Sequence, residues 1–174
     1  VERDLDFLGL VSIADPPRPE SIRAVKACQS AGIQVVMITG DHPVTAQAIA
    51  KELGILMPGK ADGVVTGEEL ARLSDAQLKD RVLNTAVYAR VSPYDKLRII
   101  NAWKENGRVV AMTGDGVNDA PALKVASIGI SMGRGGTEVA RQASSMILAD
   151  DNFSTIVSAV EEGRAVFGNI RRTV

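Results

Sequence analysis

Thr113-Gly114-Asp115-Gly116-Val117-Asn118-Asp119-Ala120-Pro121-Ala122-Leu123 follows the apolar run Val109-Val110-Ala111-Met112. The run reads as a buried strand, the glycines as a tight turn, and the remainder as the start of a helix. A shorter version stands earlier, where Val35-Val36-Met37-Ile38 ends in Thr39-Gly40-Asp41. Buried strands separated by helical stretches imply a parallel sheet. In such a sheet both Thr-Gly-Asp turns fall at the carboxyl edge, where open α/β folds bind ligands. Two hydroxyls, two tight turns and two carboxylates at one edge suit phosphate and a divalent metal.

The rest of the chain alternates in the same way. Leu5 to Ile13 reads as a strand ended by Asp15-Pro16-Pro17. Pro19 and Glu20 open a helix that Gly32 stops. Ile33 to Thr39 is the first Thr-Gly-Asp strand, and Pro43 leads a helix through Leu53. Val64 to Thr66 and Ala86 to Ala89 are short strands around a helix that Ser74 caps. Ser92-Pro93 starts a helix through Glu105, and Arg108 to Thr113 is the second Thr-Gly-Asp strand. A short helix over Asp119–Val125, a strand over Ile128–Met132, a helical turn over Glu138–Ala143 and a strand over Met146–Ala149 follow. One long helix runs from Asn152 to Val174. The pattern predicts a doubly wound α/β sandwich.

Composition narrows the function classes. At 174 residues the chain is long enough for one well-buried domain. A net charge of -1 implies no bulk attraction to nucleic acid or anionic membrane. Cys28 is the single cysteine, which excludes an internal disulfide and a cysteine metal cluster and fits a reducing compartment. No apolar run approaches the roughly 18 residues of a membrane span. Val1-Glu2-Arg3-Asp4 is no signal peptide and lacks an initiator Met, so the start reads as a cut from something longer.

Asp115 and Asp119 are four apart and share a face if the turn is already helical. Two carboxylates with Asn118 between them suit Mg²⁺, which takes few protein oxygens and leaves the rest for water and phosphate. Helix capping alone accounts for Asp and Asn here, but not for an acid at the strand end and another one turn on. Asp41 taken alone reads as a cap for the helix at Pro43. Duplication of the motif gives it more weight, with the Thr39 hydroxyl and the Gly40 N–H placed to hold phosphate oxygens. Lys96 lies near a helix N-terminus, where the dipole disfavours a cation, so an anion nearby would explain it. Arg90 and Arg18 sit at strand-to-helix turns within reach of phosphate or nucleotide. His42 reads as structural, Trp103 as core, and Arg171-Arg172 as a solvated face or a charged end pointing at something anionic.

These residues resemble a known family. TGDGVNDAPAL over Thr113–Leu123 is similar to the hinge signature of P-type cation-transporting ATPases. Asp15-Pro16-Pro17-Arg18 resembles their DPPR segment, Thr39–Pro43 their TGDHP segment, and Arg90–Lys96 the segment with their phosphate-site lysine. Leu148–Ser154 through Glu161–Arg164 resembles the run into the stalk of the fifth membrane helix, closest to calcium pumps of the sarcoplasmic-reticulum type and bacterial relatives.

The resemblance covers essentially the whole chain. It implies a Rossmann-like three-layer α/β/α sandwich of the haloacid-dehalogenase type with a mainly parallel sheet. Residues 1–151 would be the C-terminal part of a phosphorylation domain, and 152–174 a helix leading into the membrane stalk. Asp115 and Asp119 would serve Mg²⁺. Thr39, Gly40, Asp41, Arg90, Lys96 and Asn118 would contact ATP or the phosphoryl group, with Lys96, Thr39 and Asp41 acting in catalysis.

The family phosphorylates the Asp of a DKTGT motif, and that string occurs nowhere in this chain. The implied nucleotide-binding, actuator and transmembrane parts are not encoded either. The resemblance therefore implies a soluble fragment from the cytoplasmic side of a membrane pump, inactive alone, with no nucleic-acid partner. The family's nucleophile strand would run between the two Thr-Gly-Asp strands. Its absence predicts a rearranged sheet, a strand swapped between copies, or a strand supplied by another segment. Two other readings stand beside this one: a phosphohydrolase of the same superfamily, and a non-catalytic Mg²⁺-binding interaction module. A receiver domain is disfavoured, because receivers carry no TGDGVNDAPAL.

Overall fold

The computed structural model describes residues 5–9, 11, 16–56 and 63–173. Helix α1 (Pro19–Ser30) opens on its proline and stops at Gly32, whose φ of +74° suits glycine. Strand β1 (Met37–Ile38) leads into α2 (Pro43–Glu52). Strand β2 (Val64–Thr66) leads into α3 (Gly67–Arg72) and α4 (Asp75–Val82). Strand β3 (Val87–Ala89) precedes α5 (Pro93–Glu105). Strand β4 (Ala111–Gly114) passes through a 3₁₀ turn over Val117–Asp119 into α6 (Ala120–Val125). Strand β5 (Ile128–Met132), α7 (Glu138–Ala143), β6 (Met146–Leu148) and α8 (Ser154–Thr173) complete the chain.

All strand pairs are parallel, but they form two sheets rather than one. One has the order β1-β3-β2 and the other β4-β5-β6. The two Thr-Gly-Asp strands, β1 and β4, are each an edge strand. Alternating residues face opposite layers. Ile38, Val65 and Tyr88 pack against α3, α4 and α5, while Met37, Val64, Val87 and Ala89 pack on Ala46 and Ala50 of α2. Met112 packs with Ala122, Leu123 and Ala140, while Ile130 and Leu148 meet Ile156 of α8. Helices thus cover both faces, giving the expected three layers.

Helix α5 belongs to both halves. Its Ile99, Ala102 and Trp103 sit in the core of the first sheet and its Ile100 in that of the second. Val110, just ahead of β4, touches both cores. The halves are therefore joined by apolar packing on α5, with no ladder between β1 and β4.

Several expected elements are shorter than the sequence suggests. The strand read over Ile33–Thr39 contracts to Met37–Ile38, and that over Arg108–Thr113 to Ala111–Gly114. Among the described residues each has a partner on one side only, so half of its backbone groups find no ladder there. Val109 is 82% exposed, although its sequence context is that of a buried central strand. The strand read over Leu5–Ile13 is not formed at Leu5–Gly9 or Val11, where Leu5, Phe7, Leu8 and Val11 stand exposed. An unpaired strand leaves its backbone to water and buries nothing. Leu10, Ser12, Ile13 and Asp15 lie outside the described residues. Helix α3 was not anticipated, although Thr66 and Glu69 form a reciprocal capping box that is legible as Thr-x-x-Glu.

Tyr88 is fully buried in the first core, and its hydroxyl has no hydrogen-bond partner among the described residues. Burial pushes its phenol up to about 12, opposed weakly by Thr85 and Arg81. The folded state therefore keeps a proton that the unfolded chain releases near its ordinary value. Stability is full below about pH 10 and is lost as pH rises toward 12. We expect Tyr88→Phe to remove roughly 2 kcal/mol of this alkaline loss, measured by urea denaturation at pH 8 and above pH 11. Equal alkaline losses in both proteins would rule the phenol out as the cause.

Candidate functional site

Both Thr-Gly-Asp turns lie at the carboxyl ends of their strands. At the second, Gly114 lets the chain fold tightly, since a β-carbon there would lie 2.5 Å from that of Asp119. The Asp119 Oδ2 accepts the N–H groups of Asp115 at 3.3 Å and Gly116 at 3.2 Å. Its Oδ1 accepts the Lys96 ammonium at 2.6 Å. The Lys96 and Asp119 side chains are only 16% and 11% exposed. Asp119 is thus a buried brace that shapes the loop and holds the lysine. Asp115 and Asn118 are exposed, and the Asp115 carboxylate has no hydrogen bond or ion pair among the described residues.

At the first turn, the Thr39 hydroxyl accepts the Asp41 N–H at 3.0 Å. The Thr39 carbonyl accepts the Val91 N–H, and the Asp41 carbonyl accepts the Arg90 N–H. Arg90 has φ of +52°, a left-handed conformation rare for a residue with a side chain. The cap of α2 is His42, whose Nδ1 accepts the Val44 N–H, so Asp41 is not the capping residue. Thr39 is half-buried, while Gly40, Asp41 and Arg90 are exposed.

A short path joins the two turns. Arg90 and Val91 hold the first turn, and Ser92 then caps α5 with Asp95 in a reciprocal box. One turn along α5, Lys96 reaches Asp119 in the second. The anion that the sequence required near Lys96 is, in the structure, Asp119. Arg98, two residues further, anchors α5 through Asp75 and the carbonyls of Leu70 and Leu73. Arg18 is exposed and borders a 330 Å³ cleft with Ile49, Met132 and Phe153, away from these contacts. Trp103 is core as read, and among the described residues Arg172 bonds to Gly168 and Asn169 of its own helix.

A third loop completes the edge, and the sequence reading passed over it. Gly133, Arg134 and Gly135 point their N–H groups at the Asp151 carboxylate at 2.7, 3.0 and 2.7 Å. Those bonds hold Asp151 below the usual carboxylate range. Beyond this loop the Thr137 N–H donates to the Asp115 carbonyl at 2.8 Å. The glycine-rich run Gly133–Gly136 was the available signal. Among the described residues no three His, Cys, Asp or Glu side chains cluster to form a metal cage.

Comparison with known proteins agrees with the fold. Residues 1–127 match the family model of the haloacid dehalogenase-like hydrolases. The chain is 57% identical to a cation-transporting ATPase of Synechocystis, with 100% of the chain and 19% of that protein covered. It is 56% identical to a calcium-transporting ATPase of Bacillus subtilis, covering 99% of the chain and 19% of the relative. A zinc-transporting PIB-type ATPase, solved in its E2.Pi state, superposes with a TM-score of 0.68 at 31% identity. That match covers 91% of this chain and 21% of the other. The chain thus spans about one fifth of the length of these relatives.

The two aspartates of the second turn should respond differently to substitution. Asp119→Ala strands a mostly buried ammonium and two N–H groups, so it should cost about 3 kcal/mol. Asp115→Asn changes an exposed, unpaired side chain and should stay within about 0.5 kcal/mol of the parent. Urea denaturation measures both, and equal costs would contradict the assigned geometry.

Proposed function

The chain belongs to the haloacid dehalogenase-like hydrolases, among the P-type cation-transporting ATPases, and on that premise we propose that it supplies two walls of a phosphoryl-transfer site in an ATP-driven calcium pump. The observation that carries this reading is the Lys96–Asp119 brace, which leaves Asp115 free at the carboxyl edge beside the unpaired strand edges of β1 and β4. Calcium as cargo draws support from relatives so named in Bacillus subtilis and Yarrowia lipolytica.

In this reading Asp115 offers a hard oxygen ligand to Mg²⁺, and Asp119 supports that site by fixing the loop and Lys96. The free carboxylate and the small number of protein oxygens fit Mg²⁺, which retains water and phosphate ligands. When bound, the ion neutralises negative charge on the phosphoryl oxygens. Lys96 adds a fixed positive charge in a part-buried setting, where it is screened less than in water. Thr39 and Gly40 offer a hydroxyl and an N–H to the transferred group, and Asp41 orients that turn. Arg90 and Asn118, both exposed, extend toward ATP. The attacking carboxylate comes from a DKTGT strand that this chain does not contain, seated between β1 and β4. The phosphorylation domain would comprise residues 1–151 together with that strand.

Residues 152–174 are proposed to carry the effect of phosphorylation toward membrane helices of a larger pump. Helix α8 is anchored at its start by Phe153, Ile156 and Val160, while Val166, Phe167 and Ile170 stand exposed further along. No helix of the described residues is long and apolar enough to cross a membrane. The nucleotide-binding, actuator and transmembrane partners, and a position on the cytoplasmic side, follow from the same proposal.

The test is complementation. Purified chain with Mg-ATP should gain no acid-stable, hydroxylamine-sensitive phosphate label. Adding a DKTGT-bearing strand segment should produce the label on that segment, and Lys96→Met or Asp115→Asn should abolish it. A label on the chain alone would defeat the proposal.

A further inference from the structure

Gly67 carries no polar side chain and lies 23 residues from Arg90 in sequence. Yet it is packed directly against the strained turn that holds the first Thr-Gly-Asp motif. A β-carbon on Gly67 would collide with the Arg90 carbonyl oxygen and come within 3.2 Å of the carbonyl carbon. Both are backbone atoms, so no side-chain rotation relieves the contact. The next Cα, that of Val91, would stand at 3.4 Å.

The turn in question is tightly specified. Arg90 sits at φ of +52°, and among the described residues only Asp151 shares that sign without being glycine. Such conformations persist where surrounding structure over-determines them. Here the Arg90 N–H is bound by Asp41 and the Val91 N–H by Thr39. On the remaining side the Arg90 carbonyl is held against Gly67. Thr66 fixes Gly67 in turn, because its capping box with Glu69 locks the first turn of α3.

We infer that Gly67 is a positioning residue for the Thr39–Asp41 turn, acting through the Arg90 backbone; this rests on the reading of that turn as a phosphate grip. Its absent side chain lets a left-handed residue follow β3, so that the Arg90 and Val91 N–H groups meet the Asp41 and Thr39 carbonyls. Helix propensity alone favours Ala over Gly in α3. The close contact predicts the opposite sign for the site.

Amide hydrogen exchange of the whole chain tests this without a ligand. Gly67→Ala should speed exchange of the Arg90 and Val91 amides by about tenfold or more while the α5 amides keep their protection. Unchanged Arg90 and Val91 exchange overturns the inference. If Gly67→Ala instead loosens the whole fold, the double variant Gly67→Ala/Arg90→Gly decides. Glycine relaxes the left-handed turn and lets the carbonyl move, so protection at position 91 should return, and failure to return overturns the inference. A parallel titration with inorganic phosphate and MgCl₂ follows the Gly40 amide signal. Its shift should appear in the parent chain and weaken in Gly67→Ala. No shift in the parent defeats the grip reading, while the exchange result still decides what Gly67 does to the turn.

Discussion

The Lys96–Asp119 ion pair ties together a molecule whose two sheets share no hydrogen-bond ladder. Lys96 belongs to the helix that leaves β3, and Asp119 to the turn that leaves β4. Apolar packing on α5 is non-directional and sets no register between the halves. A 2.6 Å charged contact with both side chains mostly buried is directional. Taking those charges out of water is costly, and two backbone N–H groups share the Asp119 carboxylate to offset it. The same contact orients a lysine, shapes a tight turn and leaves Asp115 unengaged. At Lys96 and Asp119 the groups that hold the turn are therefore also the groups that shape its surface, whereas Asp115 stands outside that coupling.

Much of this was legible in the sequence because it is local. Helix α5 follows from Ser92, Pro93 and Asp95, and its end from Asn106-Gly107. The parallel arrangement and both Thr-Gly-Asp turns follow from two apolar runs with the same ending. What was not legible depends on partners far away in sequence. An unpaired strand edge shortens β1 and β4, and no local pattern in Val109-Val110 announces that. Asp119 looked like a second ligand beside Asp115 because spacing shows only which residues share a face. Its partner Lys96 is 23 residues away, and the burial that commits the pair exists only in the fold. Asp41, which taken alone reads as a helix cap, is not the capping residue, because His42 holds that position.

The site edge is also linked to the long C-terminal helix by a continuous set of contacts. Asp115 accepts an N–H from Thr137, the preceding glycine loop is pinned by Asp151, and α8 starts three residues later. At its other side Arg164 of α8 donates to the Ala31 carbonyl at the end of α1. The helix is thereby held at both ends of its packed portion, by the Asp151 loop at its start and by the end of α1 further along.

Asp151 has a consequence for selectivity. Three convergent N–H groups from a glycine-rich loop form a nest of the kind that captures phosphate. In this protein the seat is already taken by the chain's own carboxylate, drawn from the segment that opens α8. A free anion would have to displace a covalently tethered competitor. The anion seat of this loop is thus filled from within, by the segment that leads into the C-terminal helix.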